Sequence, residues 1–102
     1  MQRHLLIIAL IALTSICCLE ILQAANIQNG ITVYSEHCEN CHGPSGQGMG
    51  GMGELRFWDE LMKPDEALFE TIKNGNMAMP GFDGMLTGEE ILDVIAYMRT
   101  FQ

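Results

Sequence analysis

Cys38-Glu39-Asn40-Cys41-His42 places two thiols three residues apart, with an imidazole directly after the second. Cysteines at that spacing can add to the two vinyl groups along one porphyrin edge, and the adjoining histidine, on the same turn, reaches the iron. The chemistry implied is covalent attachment of one c-type haem through Cys38 and Cys41, with His42 as an axial ligand. Other uses of a Cys-x-x-Cys pair make different demands. A thioredoxin-like dithiol sits in a βαβ pattern, and a structural zinc needs a second Cys/His pair at ligand spacing. The chain offers neither: the remaining cysteines, Cys17 and Cys18, lie in an apolar N-terminal run, and the remaining histidines are His4 and His37. His37 reads as a surface residue, because His42 already stands at the ligand position, and Glu39 and Asn40 read as outward-facing spacers.

A second iron ligand has to be chosen among Met49, Met52, Met62, Met77, Met79, Met85 and Met98. The default role of a methionine is to fill gaps in a core. Met98 falls on a helical apolar stripe and reads as core; Met62 borders a helix start and is expected to pack. Met79 stands immediately before Pro80-Gly81, where proline removes a donor and stiffens the backbone. An extended loop there can present a thioether without collapsing into helix. Met79 is therefore the expected distal ligand, with Met77 as its competitor, in keeping with the His/Met pairing of electron-carrying haems.

The elements that must position these groups are helices, since no alternating strand pattern competes with them, and the fold class is all-α. Ile27, Ile31, Tyr34 and Cys38 fall at i, i+4, i+7 and i+11, a stripe leading into the haem-binding cysteines. A second helix begins near Pro64, with Asp65 and Glu66 at its positive dipole end, and stops at Asn74-Gly75. Its inward face is Leu68, Phe69 and Ile72. A third starts at a capping box, Thr87 with Glu90, and carries Ile91, Val94, Ile95 and Met98 toward an end near Phe101. A short helical stretch is expected within Leu55 to Met62.

Between the first and second helices lies a glycine-rich loop, Gly43 to Gly53, in which Gly48-Met49-Gly50-Gly51-Met52-Gly53 matches GxGxxG. No strand precedes it and no βαβ unit surrounds it, so dinucleotide binding is rejected. Missing side chains instead let backbone pass close to a flat ligand. Trp58, whose indole N–H wants a partner when buried, could meet a haem propionate or pack in the core. Arg56 could also meet a propionate, though a solvated arginine is the commoner state.

Residues 1–25 read as a cleaved signal peptide and residues 26–102 as one monohaem domain. Arg3 and His4 precede the run Leu5 to Leu19, which Glu20 ends short of the roughly 20 apolar residues of a membrane span, and Ala24 and Ala25 suit a signal peptidase. Export to the periplasm with no stable membrane insertion is expected. Leu13-Thr14-Ser15-Ile16-Cys17 faintly suggests a lipoprotein signal, but bulky Ile16 stands where a small residue belongs. With Arg3 and Glu20 removed, Arg56, Lys63, Lys73 and Arg99 face twelve carboxylates, and the balance stays at −8. That balance argues against nucleic acid and suits a redox partner with a basic docking face, although solubility alone would also account for it. A domain this small has a marginal core without a staple, and a buried haem would supply one.

Nearly all of 26–102 resembles the small bacterial class I cytochromes c. Cys38-Glu39-Asn40-Cys41-His42-Gly43 matches that family's haem motif, and Met79-Pro80-Gly81-Phe82 is similar to its axial-ligand loop. Gly30 and Tyr34 precede Cys38 as the family's first-helix glycine and aromatic do, and Ile95-Ala96-Tyr97-Met98 resembles its last helix. The resemblance implies thioethers at Cys38 and Cys41, proximal His42, distal Met79, and a helix contact built from Gly30, Tyr34 and Tyr97. It also implies outer-sphere electron transfer between a donor and an acceptor protein, with no substrate transformed. A haem enzyme or gas-binding domain with an open sixth position, or a relay subunit of a larger oxidoreductase, are the alternatives. One departure stands out: the family's proline whose carbonyl orients the haem histidine is replaced here by the stretch Gly53-Glu54-Leu55, so a nonproline carbonyl must do that work. Visible spectra in both oxidation states, with an intact mass, should show a haem that survives acidified organic solvent; Cys38→Ala with Cys41→Ala should release it.

Overall fold

The computed structural model describes residues 1–17, 24–56 and 59–101, and among them the regular structure is helical apart from three isolated bridges. The elements are α1 (Gln2–Cys17), α2 (Ile27–His37), α3 (Glu39–His42), a 3-10 turn (Asp59–Met62), α4 (Asp65–Asn74) and α5 (Gly88–Met98). The all-α expectation holds. Helix α1 lies in the expected leader and leaves Leu5, Leu6, Ile7 and Ile8 exposed; no helix among the described residues is long and apolar enough to cross a membrane.

Helix α2 starts where the Asn26 side chain accepts from the Asn29 N–H at 3.2 Å, an N-cap. Its buried face is Gly30, Val33 and Tyr34, whereas Ile27 and Ile31, expected to lead that face, are 46% and 38% exposed. The reason is Gly30, which a hydropathy pattern cannot see. A Cβ there would lie 2.1 Å from the Asp93 carbonyl oxygen and 3.0 Å from the Tyr97 Cβ, so α5 crosses α2 with backbone against backbone. Around the crossing the rings of Tyr34, Tyr97 and Phe101 pack edge to face, with centroids 5.1 to 5.4 Å apart.

Helix α5 has the expected capping box: the Thr87 hydroxyl accepts from the Glu90 N–H and the Glu90 carboxylate accepts from the Thr87 N–H. Ile91, Val94, Ile95 and Met98 are all buried. The helix ends at Met98 rather than near Phe101, because a turn closes there and folds the Phe101 ring back onto Tyr34 and Tyr97.

Helix α4 runs between Pro64 and Gly75 as expected, burying Leu68 and Ile72 with Phe69 half-buried beside them. The Arg99 guanidinium docks its N-terminal approach to α5 by donating to the Leu61 and Lys63 carbonyls and, at 2.7 Å, to the Asp65 carboxylate. The helical stretch expected over Leu55 to Met62 shortens to the 3-10 turn, and Phe57 and Trp58 lie outside the described residues. Met62 does not pack: it is 83% exposed, while Leu61 turns inward in its place.

Gly30→Ala should destabilise the haem-loaded protein by about 1–3 kcal/mol, since a methyl group has no space at the crossing. Ile31→Ala, on the exposed side of the same helix, should stay within about 0.5 kcal/mol. Guanidinium unfolding midpoints compare the two.

Candidate functional site

The chain passes from α2 to α3 at Cys38, which ends one helix and begins the next. Its N–H donates to Tyr34 O at 2.9 Å, and its carbonyl accepts from the Cys41 and His42 N–H groups at 3.2 and 3.0 Å. One helical turn therefore carries both thiols and the imidazole. Cys38 is half-buried against the core and burial pushes its thiol up to about 11; Cys41 is exposed, and both are free.

His42 is half-buried, and its Nδ1 lies 2.7 Å from the Gly53 carbonyl oxygen. A carbonyl only accepts, so Nδ1 carries the proton and Nε2 keeps a lone pair for a metal. This is the nonproline carbonyl that the departure at Gly53-Glu54-Leu55 required. Gly53 sits at φ +70°, and a Cβ on it would lie 2.4 Å from the Cys41 carbonyl oxygen and 3.1 Å from His42 Nδ1.

The glycine loop is fastened to this turn at several points. Tyr34 Oη donates to Gly43 O at 2.6 Å, and burial raises that hydroxyl well above the ordinary tyrosine range, so it stays a donor. Gly48 N–H donates to His42 O at 2.7 Å. Met49 and Met52 exchange backbone hydrogen bonds across Gly50 and Gly51, both at positive φ, a two-residue turn of the type I′ kind. Both methionine side chains are exposed.

Met79 lies in a second, separately anchored loop. Asn76 and Met79 exchange backbone hydrogen bonds of 3.0 and 2.9 Å, closing a turn over Met77 and Ala78. Met77 takes a left-handed φ of +53° and is fully exposed, while Met79 is half-buried against the same core cluster as Cys38. Beyond Pro80, the Phe82 and Asp83 N–H groups donate to Ile72 O and Lys73 O, each at 3.0 Å. Those two carbonyls belong to the last turn of α4 and would otherwise lack partners.

Two thiols, an imidazole with its proton fixed on Nδ1, and a thioether are donors whose chemistry fits a haem c. Among the described residues no three His, Cys, Asp or Glu side chains gather as a metal site of their own. Met98 is core as expected, and His37 is exposed with its ring 5.9 Å from that of Phe82. Arg56 pairs with Glu54 at 3.3 Å. Sequence reasoning placed the histidine's partner in the right stretch but could not choose Gly53, and it missed the Tyr34 to Gly43 bond, because a backbone carbonyl leaves no mark in the sequence.

The sequence profile of the family described as "Cytochrome C oxidase, cbb3-type, subunit III" matches residues 25–98. Cytochrome c6 of Nostoc sp. is 34% identical over 84 residues, spanning 74% of this chain and 70% of that protein. Cytochrome c-551 of Halorhodospira halochloris is 31% identical over 74 residues, spanning 69% of this chain and 94% of that protein. Among solved structures, the c-type cytochrome KustC0563 superposes with a TM-score of 0.64 at 28% identity, covering 72% of this chain and 96% of that one.

Gly53→Ala should weaken the haem-loaded protein by about 1–3 kcal/mol, since it combines a left-handed φ with a clash on the Cys41 carbonyl. Gly50→Ala, also at positive φ but with open space around it, should cost less, about 1 kcal/mol. Denaturant midpoints of both variants against the parent read the difference.

Proposed function

Because the chain belongs to the small c-type cytochromes, we propose that it carries single electrons between redox proteins through one haem c held by Cys38, Cys41, His42 and Met79. The observation that carries this reading is the 2.7 Å contact of His42 Nδ1 with Gly53 O, which leaves Nε2 as a ready iron ligand on the turn that bears both thiols. When bound, the haem supplies an iron that exchanges one electron between ferrous and ferric states, with methionine ligation favouring the reduced one.

The chain's own residues do the rest. Cys38 and Cys41 tether, so the group cannot diffuse away. Gly53 O holds the imidazole in one tautomer and orientation. The turn closed by Asn76 and Met79, anchored to α4 through Phe82 and Asp83, offers the thioether from a backbone that need not move. Fixed ligands on both sides suit a carrier that cycles without rearranging.

Residues 1–25 act as an export leader in this reading, and the protein works in the periplasm without stable membrane insertion. An excess of carboxylates directs it toward donor and acceptor proteins with basic docking faces, through small and salt-sensitive interfaces, and away from nucleic acid. No substrate is transformed. A second reading, an electron relay within a larger assembly, draws on the matching family's description as an oxidase subunit. Gel filtration of a native periplasmic extract separates the two: a free carrier elutes at the size of one small domain.

The ferric protein should show the far-red absorption band of methionine bound to iron, and the ferrous protein should refuse carbon monoxide. Met79→Ala should abolish the band and admit the gas. Rapid carbon monoxide binding by the parent would instead indicate an open sixth position, and survival of the band in the variant would move the ligand to another methionine.

A further inference from the structure

Asp93 is 8% exposed, the one buried charged side chain among the described residues, and haem binding gives it no task. Its two oxygens accept from the Asn26 backbone N–H at 2.6 Å and from Asn29 Nδ2 at 2.8 Å. Both donors are neutral, and no Lys, Arg or His among the described residues pairs with it. A buried carboxylate normally requires a compensating cation. The carboxylate also lines an open pocket of about 690 Å³ together with Ala24, Ala25, Asn26, Asp65 and Glu89. An acidic pocket thus surrounds the backbone where the leader is expected to be cut.

We propose that this pocket receives the amino terminus released by leader removal: the mature chain begins at Ala25 or Asn26, and its α-ammonium forms an ion pair with Asp93. The inference rests on the export reading above. A signal-peptidase-class protease hydrolyses the bond before Ala25 or Asn26 with one water. The new carboxylate leaves with the leader, and the new amine takes a proton. If Asn26 is first, the nitrogen already 2.6 Å from Asp93 becomes the cation. If Ala25 is first, the cation sits one residue further along the same pocket wall.

The groups facing the terminus are Asp93 and Glu89 on α5 and Asp65 on α4, the last already paired with Arg99; Asn26 and Asn29, from the start of α2, are neutral. Before cleavage the buried carboxylate has hydrogen bonds but, among the described residues, no countercharge. Afterwards the α2–α5 crossing, through the Asp93 backbone that touches Gly30, is clamped by an ion pair as well. Processing would thereby tighten the helix contact that supports the haem turn.

The sign of the pH dependence follows. An α-ammonium held by carboxylates has its pKa raised above the ordinary value near 8, so its contribution is complete below about pH 8 and is lost as pH rises through the raised value. The test uses exported, haem-loaded protein. Intact mass identifies the first residue, and a start at Ala25 or Asn26 is expected; a retained leader or a distant start would sink the export reading itself. NMR of the isotopically dimethylated α-amine then gives its pKa, expected about one unit or more above that of a short peptide with the same terminus. Asp93→Asn should return it toward the peptide value and flatten the fall in melting temperature above pH 8. A correctly processed protein whose α-amine titrates like the peptide would overturn the ion pair, and this reading needs no variant to fold.

Discussion

The contact on which the structure hangs is the crossing of α2 and α5 at Gly30, where the Asp93 carbonyl occupies the space a side chain would need. Tyr34, one turn further along α2, faces both ways. Its ring packs edge to face on Tyr97 and Phe101, while its hydroxyl donates to Gly43 O. The position of α5 is thereby passed to the start of the glycine loop, and from there through Gly48 to the His42 carbonyl. A shift at the crossing would be felt at the imidazole through two packed rings and two hydrogen bonds.

The segments that carry the candidate ligands are built differently. His42 and the thiols sit on a helical turn, so their spacing is fixed by helix geometry, and only the ring orientation has to be added, by Gly53. Met79 sits on a loop with no helix of its own. Its rigidity comes from reciprocal backbone bonds with Asn76 and from the unsatisfied carbonyls at the end of α4, which accept from Phe82 and Asp83. Glycine is spent where chain segments touch: a Cβ on Gly75 would lie 2.6 Å from Gly81 N, and one on Gly53 2.4 Å from Cys41 O.

What could be read beforehand was whatever side-chain chemistry encodes. The Cys38 to His42 motif is legible as residue types at fixed spacing; the Thr87 and Glu90 capping box, the Pro64 and Gly75 limits of α4 and the buried stripe of α5 rest on residue type and period, and these helical features appear as expected. The structure departs from the pattern where backbone makes the contact. Ile27 and Ile31 outvoted Gly30 in the α2 pattern because hydropathy counts side chains, whereas this interface is made by lacking one. Met62 reads as interior from its place beside a helix, yet the turn there is held by the Leu61 carbonyl accepting from Arg99, 38 positions away in sequence. Contacts to backbone carbonyls, including the one that orients His42, are written in the fold alone.

The turn over Met77 and Ala78 has a further meaning. Both residues are exposed, with Met77 fully so, and the reciprocal backbone bonds that close the turn belong to their neighbours Asn76 and Met79. The tip of this loop is therefore separable from its base. Substitutions there can accumulate in descendants of this chain while the Met79 backbone a residue away keeps its place. Surface and scaffold can drift independently, although they are encoded within four consecutive residues.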